Sequence, residues 1–313
     1  MEFVDKGSIV RKIWGSTDTV LFIFAGAAAE FSLNKAVDWL YYTGKLPKNP
    51  LERLFSTVGY AQKIVFSGFD EANAAIDQIA MIHKQVENAR GTKIPDWAYR
   101  DVLFMLIDYS IRSFELLERK LNLNEKEEIF DTFYRVGNRM CIAGLPENFS
   151  AWKVMHQKQL EEDLICSIFS KDLFMQYKIH LGGLRFYLMH KIQARLVPKR
   201  VNELLNLGKS NLIVVILAAY KFCRFLRINK FLRNMILPAK YKAMIANLEV
   251  HKNLITISYR SQVFKKKRNP KRRSNSYRIL FGVLNLSLLL AVVSALSVHP
   301  FRRSRKEKQR RCF

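Results

Sequence analysis

Apolar residues recur at helical spacing over long stretches of this chain, and that periodicity constrains the fold more than any other feature. Ala72, Ala75, Ile76, Ile79, Ile82 and Val86 follow the i, i+3, i+4, i+7 pattern of a buried helix face. Stretches of the same kind cover residues 97–120 and 124–144, while turn-rich segments of alternating polarity are scarce. Hydrophobic residues make up 49% of the 313, enough for one large core or two smaller ones. The expectation is an all-α, multi-helix globular domain.

Boundaries follow from capping chemistry. Thr17 or Asp18 suits the N-cap of a helix that opens with the apolar run 20–29 and stops near Gly44 and Pro47. Residues 1–10 carry Glu2, Asp5 and Lys6 and do not read as a signal peptide. Asn49-Pro50 opens the next helix, with Asn as cap and Pro at the first helical position; it runs to about Phe66. Ser67-Gly68-Phe69-Asp70 breaks that helix and starts another, which ends near Arg90-Gly91. Further helices are expected over 97–120, from Asn124 to Gly144, over 150–169, over 171–196 with a Gly182-Gly183 interruption, and within 201–248.

The net charge of +25 is concentrated at the C-terminal end: residues 260–313 hold 16 Lys/Arg against Glu307. Within that region lies an uncharged apolar run of 20 residues, 279–298, the length of a bilayer-spanning helix, the alternative being a buried C-terminal helix with a solvated tail. Basic flanks beside such a run favour anionic lipid over nucleic acid as the partner. The expected organisation is a helical domain (1–248), a basic linker (249–278), a transmembrane helix (279–298) and a basic tail (299–313), with the domain on the cytoplasmic side of a single-pass C-terminal anchor. The four cysteines, Cys141, Cys166, Cys223 and Cys312, are far apart and lack zinc spacing, which fits reduced thiols.

Several catalytic signatures are missing: no GxxxxGK[ST] loop, no GxGxxG after a strand, no GxSxG elbow and no HExxH. His156, His180 and His190 have no recognisable ligand spacing, and Glu161, Glu162 and Asp163 read as a solvated face. Asp101, Asp108 and Arg112 share one face of the 97–120 helix, as an i, i+4 ion pair on a solvated edge or as part of an internal polar site.

His83 stands out because it lies within the apolar stripe, where an imidazole needs partners for both nitrogens. Upstream, Arg53, Thr57 and Tyr60 fall at i, i+4 and i+7 on one face of the preceding helix. Two neighbouring helices that aim polar groups along one face suit something polar or metallic between them. A haem requires one axial imidazole, apolar walls and a cation near its propionates, and His83 with Arg53 meets those needs. A lone histidine on an apolar face is more often a hydrogen-bonded core residue, and Arg53 fits a helix edge equally well, so both readings stay open on spacing alone.

Residues 49–103 resemble the core of the mpaB/rubber oxygenase family, which includes latex-clearing proteins and the ER-bound oxygenase of mycophenolic acid biosynthesis. The shared pattern is Pro, then Arg-x-x-x-Thr-x-x-Tyr, a helix ending in His with Val three residues on, and later a Tyr-x-x-Asp-type helix start; this chain supplies Pro50, Arg53, Thr57, Tyr60, His83, Val86 and Asp101, with Tyr99 nearer to Asp101 than that pattern has it. The chain departs from the pattern at Ala29-Glu30-Phe31-Ser32-Leu33 and at Ile107-Asp108-Tyr109. The resemblance implies an all-helical fold around a haem b pocket, with His83 as axial ligand to iron and Arg53, Thr57 and Tyr60 at the cofactor. It further implies an oxygenase in which Arg53 and Thr57 take part in catalysis, acting with O2 on an apolar, unsaturated or isoprenoid-like substrate that partitions into lipid. The alternative is a non-catalytic, membrane-anchored helical interaction protein on the same fold.

Overall fold

A computed structural model of the chain describes residues 1–42 and 50–208, together with 217, 218, 220 and 221, without the side chains of Leu40 and of residues 52–56. The expected basic linker, transmembrane helix and basic tail lie outside the described residues. Within the described residues no helix is long and apolar enough to cross a membrane.

The described part is all-α. In chain order the helices are α1 (Ile9–Trp14), α2 (Thr17–Leu33), a 3-10 turn (Lys35–Val37), α3 (Asp38–Tyr42), α4 (Pro50–Phe66), α5 (Phe69–Arg90), α6 (Asp96–Leu117), α7 (Leu123–Arg139), α8 (Phe149–Glu162), α9 (Ile168–Leu181), α10 (Gly183–Leu196) and α11 (Lys199–Leu205). Extended pairing among these residues is limited to two isolated bridges, Glu2 with Gly68 and Asn34 with Leu164.

Local chemistry sets most helix ends. Ser16, one residue before the expected cap, accepts from the Thr19 N–H to start α2. Asn122 and Glu125 form a reciprocal capping box at α7. Gly91 ends α5 in the left-handed region at φ 70°, where its N–H reaches back to the last turn. The helix expected to run from 17 to 42 is instead broken at Asn34, and the one expected over 150–169 stops at Glu162. One interaction causes both breaks: Lys35 N–H donates to Asp163 O at 2.9 Å and Ile165 N–H to Leu33 O at 2.7 Å, so each chain pairs with the other instead of continuing its helix.

The centre of the molecule is the α2–α6 pair, flanked by α7, α8 and α10. Its core includes Ile23, Leu33, Phe104, Ile107 and Ile129, with Trp14 of α1 packed between Phe24 and Phe133 at ring-centroid distances of 6.5 and 5.9 Å. Helices α4 and α5, joined by two residues, pack on one another beside this core. Cys141 is a free, exposed thiol, but Cys166 is disulfide-bonded, so the expectation of four reduced thiols does not hold.

Candidate functional site

Between α2, α4, α5, α6 and α7 lies a cavity of about 280 Å³, closed on another side by Tyr177 of α9. Its wall is mainly aliphatic and aromatic, with Phe24, Ala28 and Phe31 from α2, Ile79 and Ile82 from α5, and Val102, Met105 and Leu106 from α6. Few polar side chains reach it; among them are the sequence candidates Thr57 and Tyr60 on α4 and His83 on α5, and Tyr99 on α6. The helical spacing explains the convergence. Thr57, Tyr60, Ala61 and Ile64 share one face of α4, Ile79, Ile82 and His83 share one face of α5, and the two faces meet at the cavity. Arg53 lies one turn before Thr57 on α4; its side chain falls outside the described part.

His83 is half-buried and is the only imidazole among the described residues of the wall. The Tyr99 ring stands edge-on to it, with centroids 5.2 Å apart and planes at 87°. Tyr99 is itself anchored: its hydroxyl donates to Glu87 Oε1 at 3.3 Å, and the same oxygen accepts the Ile94 N–H at 2.9 Å. Burial, with Glu87 adding to it, pushes the Tyr99 phenol well above its ordinary range and keeps it a neutral donor. Glu87 sits one turn after His83 on α5, so a short chain of contacts ties the imidazole's neighbour back to its own helix. The clue to this bracing was the acid at i+4 from the histidine, which gained meaning only once Tyr99 was placed beside both.

The polar face of α6 has a different role. Asp101, Asp108 and Arg112 do not reach the cavity. Asp101 is buried and accepts from Asn34 Nδ2 at 2.7 Å. Asp108, also buried, pairs with Arg112, so the face is not a solvated edge. Tyr109, next to Asp108, donates to Glu30 Oε2 at 2.8 Å, and Gln159 Nε2 donates to Glu30 Oε1 at 3.2 Å. His156 completes the cluster, stacked on Trp152 with its Nε2 3.9 Å from Glu30 Oε1. Burial alone would lower the His156 pKa, but Glu30 and Asp108 outweigh it and the value is raised. Sequence reading took Glu30 only as a departure from a family pattern and His156 as featureless.

Among the described residues, no group of three or more His, Cys, Asp and Glu side chains is placed to hold a bare metal ion. A macrocycle that brings its own four nitrogens needs only one imidazole from the protein, and His83 on a cavity wall is a donor of that kind.

The family model described as ER-bound oxygenase mpaB/B'/Rubber oxygenase, catalytic domain, matches residues 13–228. No curated protein and no solved structure matches the chain.

Proposed function

The chain belongs to the mpaB/rubber oxygenase catalytic-domain family, and from that premise we propose that it is a haem b-dependent oxygenase, held at a membrane, that acts with O2 on an apolar, unsaturated or isoprenoid-like substrate. The observation that supports this most is the meeting of His83, Thr57 and Tyr60 on the wall of one otherwise apolar cavity.

Haem b supplies, when bound, the iron at which O2 chemistry takes place. Everything else falls to the protein. His83 would hold the haem iron through its imidazole, and Tyr99, tethered to Glu87, stands edge-on to that ring. Arg53 is assigned to a propionate carboxylate, for which a guanidinium is the preferred partner. The Thr57 hydroxyl and the Tyr60 phenol provide the hydrogen-bonding groups on the opposite helix. The walls of α2, α5 and α6 exclude water and offer an apolar substrate the surface it prefers. Residues 279–298 are assigned as the anchor, which keeps the domain beside a lipid-dissolved substrate.

The test is O2 uptake and carbonyl-product formation by the haem-loaded protein supplied with an unsaturated isoprenoid. The proposal expects turnover well above that of free haemin. Turnover equal to free haemin from a protein that does bind haem would leave the non-catalytic interaction reading in its place.

A further inference from the structure

Helices α9 and α10 carry a surface unlike the rest of the described molecule. The outward face of α9 is Ile168, Lys171, Met175, Lys178 and Ile179, positions i, i+3, i+7, i+10 and i+11 of one helix. Its three apolar members are 77%, 60% and 65% exposed. Beyond the Gly182-Gly183 turn, Leu184 is 64% exposed, and Tyr187 beside it lies under Lys191 Nζ, 5.1 Å from its ring centroid. Elsewhere the exposed apolars are scattered: Val102, Leu123 and Val154 come one to a helix, and Phe69 and Met81 on α5 are three turns apart and on different faces.

Charge identifies the partner. Across α9 and α10 there are five Lys/Arg and a single acid, Asp172, which is engaged by the Tyr41 hydroxyl at 2.9 Å. The exposed face itself alternates large apolar groups with lysines and carries no carboxylate. A protein partner rich in acids would satisfy the lysines but leave Ile168, Met175 and Ile179 in a polar setting. A bilayer surface satisfies both: apolar tips enter the acyl boundary while lysine stems extend to phosphate and carboxylate headgroups. At 14 residues, α9 is about 21 Å long and too short to span, so it lies in the plane of the interface.

We propose that the exposed face of α9, with Leu184 at the start of α10, is a docking surface for anionic phospholipid, seated through Ile168, Met175, Ile179 and Leu184 with Lys171 and Lys178 on the headgroups. This contact is separate from the assigned anchor and does not depend on haem.

The test uses the full chain reconstituted on vesicles whose acyl chains are brominated, made of phosphatidylcholine with or without phosphatidylserine. A tryptophan at the tip (Leu184→Trp) is compared with one on α8 (Val154→Trp), after subtraction of the native signal. The tip tryptophan should be quenched at least about twofold more than the α8 one, more strongly with phosphatidylserine present. Lys171→Glu with Lys178→Glu should remove the phosphatidylserine dependence. Equal quenching at the two positions overturns the proposal, even if the protein floats with the vesicles through residues 279–298. Shielding of the tip tryptophan from aqueous acrylamide before vesicles are added also overturns it, since a second copy or another part of the chain then covers the face.

Discussion

Tyr109 donates its hydroxyl hydrogen to Glu30 at 2.8 Å across the seam where α6 packs on α2. Glu30 is fully buried, and the bond places a neutral donor against one of its carboxyl oxygens. Burial, reinforced by Glu30 and Asp108, holds the phenol far above its ordinary pKa, so it remains a donor throughout the accessible pH range. Tyr109→Phe keeps the ring and removes only this bond. Chemical denaturation should show a loss of about 1–3 kcal/mol, the cost of a buried acceptor deprived of a partner. An unchanged midpoint would mean that Gln159 or water satisfies Glu30 without the tyrosine.

The same seam depends on Gly26. A Cβ at this position would lie 2.3 Å from both Cδ1 and Cε1 of Tyr109 and 3.0 Å from Leu196 Cδ2. The Tyr109 ring is completely buried and has nowhere to retreat. Alanine normally gains about 1 kcal/mol over glycine inside a helix. Overpacking outweighs that gain here, and Gly26→Ala should be destabilised by about 1–3 kcal/mol in thermal melts. Equal or greater stability would show that the helices separate at little cost.

Asp101 makes stability depend on pH. Burial raises its pKa from 3.8 to about 7, against the opposing hydrogen bond from Asn34. The folded state therefore binds a proton that the unfolded chain releases at lower pH. The associated stabilisation is complete below pH 3.8 and is lost as pH rises towards about 7. The raised His156 pKa acts in the same direction, since its proton is also held more tightly when folded. Asp101→Asn keeps an acceptor for Asn34 and cannot ionise. Its stability, measured by denaturant titration between pH 4 and 8, should fall less steeply than that of the parent; parallel curves would remove Asp101 as the source.

Tyr99 is a positioning residue for His83. Tyr99→Phe retains the ring edge against the imidazole, whereas Tyr99→Ala removes it. Haemin titration followed by absorbance should show a weakening of about 10–100-fold for Tyr99→Ala, the usual scale for loss of a ligand's supporting contact. Tyr99→Phe, which keeps the ring but loses the Glu87 tether, should fall between the two. Identical affinities in all three proteins would mean that the His83 ring is held by other contacts.

What the sequence could reveal was local. The Pro50 start, the Gly91 stop and the spacing of Thr57, Tyr60 and His83 are properties of single helices, and that spacing predicts two faces that the fold turns toward one cavity. What stayed hidden was non-local. Nothing near Asn34 announces that residues 33–35 will bond to residues 163–165 and break a helix on each side. The Glu30 cluster draws Tyr109, His156 and Gln159 from positions 79 to 129 residues away, and each looks ordinary in its own segment. Helix α1 was missed because its six residues complete no repeat of the apolar pattern.

The central proposal is that His83, on the wall of the cavity between α4 and α5, would hold a haem iron. The most direct measurement is the absorption spectrum of the purified protein after haemin loading, beside that of His83→Ala prepared in the same way. The account predicts a saturable Soret band at one haem per chain in the parent and its loss in His83→Ala, with both proteins folded by circular dichroism. A colourless parent, or a Soret band of equal position and strength in His83→Ala, would contradict it.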